Sequence, residues 1–303
     1  MKICIPEDFS KEGSGKHKFL KRLVQNFRDK GIKIVNNDAD ILLHIGRNIK
    51  GIRAKRTVMR VDGLILNKSV PYEKDNKKIL KYINKSDALI YQGDFCKNAY
   101  EKFLGVKKKN VCIQNGADSS DFLDRKIENY YFASCKWRPH KRLKNICEGF
   151  IEACNNGLDS KLYVVGKSDS KIKHPNIKYL GWSSSDVIKE YLSHAIATIH
   201  LSWLDWCPNS MVESIVAGCP VVYSDSGGSP EIGKYGGVVI KDVQWNFKPL
   251  FLYEPPQLDL KKISDALFLV RDKKIIPNNR ELHIDVIADR YINFFREVLS
   301  CQK

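Results

Sequence analysis

Two carboxylates, Asp205 and Glu213, stand with seven residues between them around the stretch Pro208-Asn209-Ser210. Upstream, AIATIHLS (195–202) reads as a strand and WLDWC (203–207) as a loop. From 208 to 217 the pattern is helical, with Met211 and Ile215 on one face and Val212 and Val216 beside them. Pro208 is expected at the first helical position, where its missing N–H costs nothing. Gly218 ends the helix, and CPVVYSD (219–225) is the next strand. A helix that starts at a strand's C-terminal edge presents N–H groups and the positive end of its dipole, which suits a phosphate. Asn209 and Ser210 lie in that first turn. Glu213 lies one turn deeper, on the face of Asn209, where a carboxylate would not bind phosphate but could accept two ribose hydroxyls. Asp205 would reach the far side of the phosphate, where a further group would sit. The plain alternatives are an exposed helix acid at Glu213 and a capping or loop acid at Asp205.

These residues need a scaffold, and the rest of the chain supplies one. The first half alternates strands KICI (2–5), DILLHIG (40–46), RTVMRV (56–61), DALIYQ (87–92) and NVCIQN (110–115) with helical stretches at 17–31, 75–86 and 94–105. The pattern restarts with NYYFASC (129–135), KLYVVG (161–166), NIKYLG (176–181), AIATIHLS, CPVVYSD and GGVVI (236–240). Helices are expected at 140–155, 183–193, 208–217, 257–270 and 281–299. Strands alternating with helices imply parallel sheets covered on both faces. The polar, turn-rich run 115–129 separates two α/β domains. The expected division is 1–124, 125–280 and a closing segment 281–303 whose helix crosses back to the first domain. Between two such domains the natural ligand site is the cleft facing the strand C-terminal ends.

Composition narrows the class. The chain has 303 residues, enough for two ordinary domains, and no apolar run approaches the length of a membrane span. MKICIPEDFSKEG lacks the apolar core of a signal peptide, so cytoplasmic work is expected. The nine cysteines show no CxxC or zinc-like spacing and read as reduced, small apolar residues. Residues 1–125 hold 27 Lys+Arg against 15 Asp+Glu, or +12, and residues 126–303 hold 24 against 20, or +4. The basic half suits an acidic substrate, an anionic membrane surface touched peripherally, or nucleic acid; a solvated lysine-rich surface is the plain alternative.

The combination resembles a known family. Asp205-x7-Glu213, followed by AGCPVV and GGSPEI, is similar to the Glu-x7-Glu signature of the GT-B glycosyltransferases of the family 4-like type (glycosyl transferases group 1). QNGAD (114–118) with Phe122 resembles that family's linker, and CKWRPHKRL (135–143) its first C-terminal loop; LYVVG and IKYLGW also fit. The resemblance covers roughly 112–240. It implies an α/β GT-B fold of two Rossmann-like, doubly wound domains facing a cleft. It also implies transfer of a hexosyl or pentosyl group, with retention, from a UDP- or GDP-sugar to a glycan, lipid-linked or protein-linked acceptor, in carbohydrate biosynthesis. Lys136 and Lys141, with Arg138 competing for the first place, would neutralise the donor diphosphate. Asn209 and Ser210 would hold phosphate, Glu213 the ribose, and Asp205 the donor sugar's hydroxyls. Gly166, at the end of LYVVG, and Gly228 fall on the donor side. The Gly227-Gly228-Ser229 turn would let the backbone approach the donor closely, and Glu231 would cap or order that region. Asp205 departs from the family's glutamate by one methylene, and Trp206-Cys207-Pro208 replaces its Gly-rich turn, which bears on the choice of sugar.

In the first half, Asp62 in MRVDGLILN would contact or orient the acceptor hydroxyl, unless it only forms an Asp-Gly turn. Gly13, Gly15 and Lys16 in EGSGKH would touch diphosphate or acceptor, unless they form a plain loop. His17, His44 and His140 are scattered, and neither a metal site nor a cofactor is expected. Two other readings stay open: a non-catalytic nucleotide-sugar or glycan-binding protein on the same fold, and a nucleic-acid-binding protein using the basic half. The second has no recognition motif to support it.

Overall fold

The computed structural model describes residues 1–6, 15–45, 49–168 and 171–301. The chain forms two compact units, one of Met1–Ala117, Phe247–Pro249 and Glu281–Lys303, the other of Asp118–Asn246 and Leu250–Arg280.

The first unit carries strands β1 (Lys2–Cys4), β2 (Lys33–Ile34), β3 (Ala39–His44), β4 (Ala54–Val61), β5 (Ala88–Tyr91) and β6 (Asn110–Cys112). Helices α1 (Gly15–Asp29), α2 (Tyr72–Lys85) and α3 (Asp94–Leu104) alternate with them. The sheet order is β2-β1-β3-β4-β5-β6, with every pairing parallel. The sequence pattern does not show β2, a two-residue edge strand that pairs with β1 after Gly31 closes α1.

The second unit carries β7 (Tyr130–Ser134), β8 (Lys161–Val165), β9 (Ile177–Gly181), β10 (Ala197–His200), β11 (Val221–Ser224) and β12 (Gly237–Ile240). Its helices are α4 (Leu143–Asn155), α5 (Ser185–His194), α6 (Asn209–Val216), α7 (Ser229–Gly233) and α8 (Leu260–Lys273). The order is β12-β11-β10-β7-β8-β9, again all parallel. The chain builds outward from β7 through β8 to β9, then returns to lay β10 on the other side of β7. That reversal is the topological switch point of a doubly wound sheet, and ligands bind such sheets outside the carboxyl ends of the two strands that flank it. In this unit those ends are Ser134 and His200.

Helix α9 (Ile284–Ser300) returns the chain to the first unit and packs on α1. Phe27 meets Tyr291 and Phe295 edge-on at 6.3 and 6.1 Å. Ile287, Tyr291 and Phe295 are fully buried there, each contributing about 1.5–3 kcal/mol of apolar burial. The second unit's core joins Tyr131, Leu162, Ile199 and Val222 of the sheet to Phe150 of α4 and Leu267 of α8. Five of the nine cysteines are buried. Among the described residues, no helix is long and apolar enough to cross a membrane.

Candidate functional site

Two loops meet at the switch point of the second unit. The first follows β7. Trp137 donates from its indole N–H to the Val165 carbonyl at 2.9 Å, which ties the loop over the end of β8. Gly166 makes room for it: a Cβ there would lie 1.9 Å from the Cys135 carbonyl oxygen, and its φ of +109° suits glycine. The close approach at Gly166 is thus to the chain's own backbone. Pro139–Lys141 then form a 3₁₀ turn, and Arg142 enters α4 in a left-handed conformation. Lys136 and Arg138 are exposed, and their side chains form no ion pair among the described residues. Lys141 points inward and is 16% exposed.

The second loop follows β10 and is fixed at several points. Trp203 N–H donates to the His140 carbonyl at 2.8 Å, joining it to the first loop. Leu204, at φ +55°, donates its N–H to Ser226 Oγ at 3.0 Å. The Gly228 N–H donates to the Asp205 carbonyl at 2.7 Å. A Cβ at Gly228 would lie 2.1 Å from the Trp206 carbonyl oxygen. The Gly227-Gly228 turn is therefore the seat on which the Asp205 loop rests.

The loops bring Lys141 and Asp205 together: Lys141 Nζ contacts Asp205 Oδ2, with the carboxylate 17% exposed. Burial works to raise the Asp205 pKa, but the Lys141 ammonium overcomes it and holds the carboxyl far below its ordinary range. Burial would strip the proton from Lys141, yet Asp205 reverses that and raises it. Both groups are charged at neutral pH. His200 Nε2 lies 3.7 Å from the same Oδ2, and its Nδ1 lies 3.2 Å from Ser210 Oγ. Neighbouring His140 is pushed down to about 4, first by burial and then by Lys141.

Helix α6 begins at Asn209, and Pro208 is its N-cap rather than its first helical residue. Pro208 has the extended ψ of 107°, and its carbonyl accepts from the Met211 and Val212 N–H groups. Among the described residues, no side chain caps this helix start. Glu213, one turn in, lines a pocket together with Ser134, His200 and Ser210, while Ile188 and Leu192 of α5 form an apolar wall. Glu231 lies in the first turn of the short helix α7, behind the Gly228 turn. Asp205, Lys141, Asn209, Ser210 and Glu213 thus share one strand edge, with Lys136 and Arg138 in the adjoining loop. The sequence pattern does not reveal His200, which reads as an ordinary strand residue.

In the first unit, Asp62 follows β4 and is more than the hinge of an Asp-Gly turn. Its Oδ1 accepts from the guanidinium of Arg60, which is 1% exposed, and from Gln92 Nε2 at 3.2 Å. Arg60 also donates to Asn115 Oδ1 at 2.6 Å and lies over the Phe19 ring at 4.9 Å. Tyr100 donates its hydroxyl to the Asp62 carbonyl at 2.7 Å. Gly15 and Lys16 open α1, and Gly13 lies outside the described residues. Among the described residues, no group of three or more His, Cys, Asp and Glu side chains is placed to hold a metal ion.

Residues 130–245 match the model of the family described as glycosyl transferases group 1. That segment runs from β7 past β12 and contains every second-unit candidate. A comparison with curated protein sequences found no match. Several solved structures share the whole fold at low identity. Sucrose-phosphate synthase from Thermosynechococcus elongatus is 12% identical, over 99% of this chain and 100% of that one, with a TM-score of 0.72. AviGT4, a glycosyltransferase involved in avilamycin A biosynthesis, is 15% identical over 99% and 98%, with a TM-score of 0.64. Anabaena HepE, solved with UDP and glucose, is 12% identical over 97% and 99%, also with a TM-score of 0.64. The architecture is that of the GT-B glycosyltransferases, two Rossmann-like units each built on a parallel six-stranded sheet.

Proposed function

We propose that this chain, which carries a glycosyl transferases group 1 segment, moves a sugar from a nucleotide-sugar donor to an acceptor hydroxyl. One observation carries the reading. The ion-paired Lys141 and Asp205 sit at the switch point of the second unit, beside the start of α6 and a carboxylate one turn deeper. The diphosphate would lie at the start of α6, against the N–H groups near Asn209 and Ser210. Glu213 would accept the ribose hydroxyls, and Asp205 would face hydroxyls of the sugar. Lys141, with Lys136 and Arg138 from the same loop, would neutralise the charge that grows on the leaving diphosphate. Three cations in one loop perform the task that a divalent ion performs elsewhere, so the reaction is proposed to need no metal. Retention of configuration follows the family resemblance. Asp62, held by Arg60 and Gln92, is the proposed acceptor-side group.

HepE has been solved with UDP-glucose, which favours a uridine donor here, with a guanosine donor as the alternative. A glycan, lipid-linked or protein-linked acceptor suits the family, and the +12 of residues 1–125 suits one presented at an anionic surface. The test is a thermal-shift panel of UDP-, GDP-, ADP- and CMP-sugars on wild type and Glu213→Ala. A ligand that binds only the folded state raises the melting temperature. One nucleotide sugar is expected to stabilise wild type, and Glu213→Ala is expected to lose that shift. No shift from any of them at millimolar concentration would remove the donor reading.

The loop seat gives a second check. Gly228→Ala forces the Trp206 backbone away from its Cβ, and Asp205 moves with it. Displacements of about 1 Å cost about 10²-fold in rate, so sugar transfer is expected to fall by that order in steady-state assays. Transfer at the wild-type rate would show that Asp205 needs no such placement.

A further inference from the structure

We propose that His200 is a positioning residue of the donor site, which takes over Asp205 when Lys141 turns to the donor's diphosphate. The inference rests on the donor reading above. His200 ends β10 and is 6% exposed. One ring nitrogen meets the helix start through Ser210, and the other faces the acid that Lys141 occupies. Nε2 has no hydrogen-bond partner among the described residues. Its 3.7 Å separation from Asp205 Oδ2 is too long for a hydrogen bond while Lys141 holds the same oxygen.

The surroundings select the ring's protonation. Burial keeps the imidazole neutral against the pull of Asp205, and the Lys141 cation works in the same direction. In the neutral ring, the Ser210 hydroxyl donates to Nδ1, and Nε2 carries the proton, aimed at Asp205. His140 beside Lys141 and Glu213 on α6 complete the titratable groups around it. A diphosphate at the start of α6 competes with Asp205 for the Lys141 ammonium. A largely buried carboxylate left with no donor opposes that move. Closing the Nε2 gap by roughly 0.8 Å supplies the donor, with no proton transferred and no change of tautomer. His200 thereby lowers the cost of releasing Lys141.

The test is calorimetric titration of the full chain with UDP and with GDP, in wild type, His200→Gln and His200→Asn. The glutamine amide reaches the position of Nε2 and keeps a donor for Asp205. The asparagine amide stops at the position of Nδ1 and keeps only the contact with Ser210. Expected are near-wild-type binding by His200→Gln and binding weaker by about tenfold or more in His200→Asn. The His200 Nε2–H resonance is expected to shift on adding the nucleotide that binds. Asp205→Asn in the His200→Asn background removes the carboxylate and is expected to shrink the loss. Wild-type binding with an equal loss in both His200 variants, or with no loss in His200→Asn, would overturn this inference alone. Binding of neither nucleotide by wild type would overturn the donor reading, and this inference with it.

Discussion

Lys141→Ala is expected to lower sugar transfer by about 10²–10³-fold, the usual cost of removing one group that stabilises developing negative charge. Of Lys136, Arg138 and Lys141, only Lys141 points inward, and it sits against Asp205 at the strand edge where the diphosphate is proposed to lie. Lys136 and Arg138 are exposed, so their removal is expected to cost less. The Lys141 variant also leaves Asp205 with His200 alone, which adds a stability loss. Lys141→Ala combined with Asp205→Asn separates the two effects: the melting temperature recovers and the activity does not. Acidity is not expected to switch this pair near neutrality. The folded-state pKa of Asp205 is depressed, so the pair's contribution is complete above the unfolded aspartate value of about 3.9. It is lost only as pH falls below that value towards the folded one. Steady-state rates for the single variant within about twofold of wild type would remove Lys141 from the leaving-group role.

Arg142→Ala or Asp242→Ala is expected to destabilise the second unit by about 3–5 kcal/mol, the cost of leaving one buried charge without its partner. The pair is bidentate, at 2.6 and 3.1 Å, with side-chain exposures of 0% and 1%. Arg142 is also the residue that turns the chain from the Lys141 loop into α4, so its loss would loosen that loop as well as the core. Replacing both partners with apolar residues of similar volume, Arg142→Met with Asp242→Leu, is expected to recover most of the stability. Urea or thermal melts check this, read on the transition of the second unit because a chain of two units need not unfold in one step. A single variant that melts as wild type does would show that the pair contributes nothing.

Much of the scaffold is legible in the sequence because parallel strands covered on both faces read as unbroken apolar runs. ALIY of β5 and VVYS of β11 are buried at every position, and both stand out in the bare sequence. Lys33–Ile34 of β2 does not, since an edge strand of two residues has too little pattern to show. Pro208 suggests a helix start to within one residue; its φ fits either the N-cap or the first turn, and only ψ distinguishes them. The helix start and Glu213 are local in sequence and are read from spacing. Lys141 and Asp205 are 64 residues apart, and Arg142 and Asp242 are 100 apart. Only the return of the chain from β9 to β10 brings such partners together, so no local pattern could pair them. Gln92 and Asn115 around Asp62 stay hidden for the same reason, 30 and 55 residues from Asp62 and Arg60, whereas His200 is close in sequence to Asp205 and Ser210 but reads as one more residue of a buried strand.

The central claim is that the second-unit edge binds a nucleotide sugar in order to transfer its sugar. The most direct measurement is release of nucleoside diphosphate from the nucleotide sugar that stabilises the protein, with and without added glycan and lipid extracts. Expected is release by wild type that an acceptor-containing extract accelerates and that Lys141→Ala lowers by about 10²–10³-fold. Tight binding of the nucleotide sugar with no release under any of these conditions would contradict it, and would make the protein a binder on the same fold.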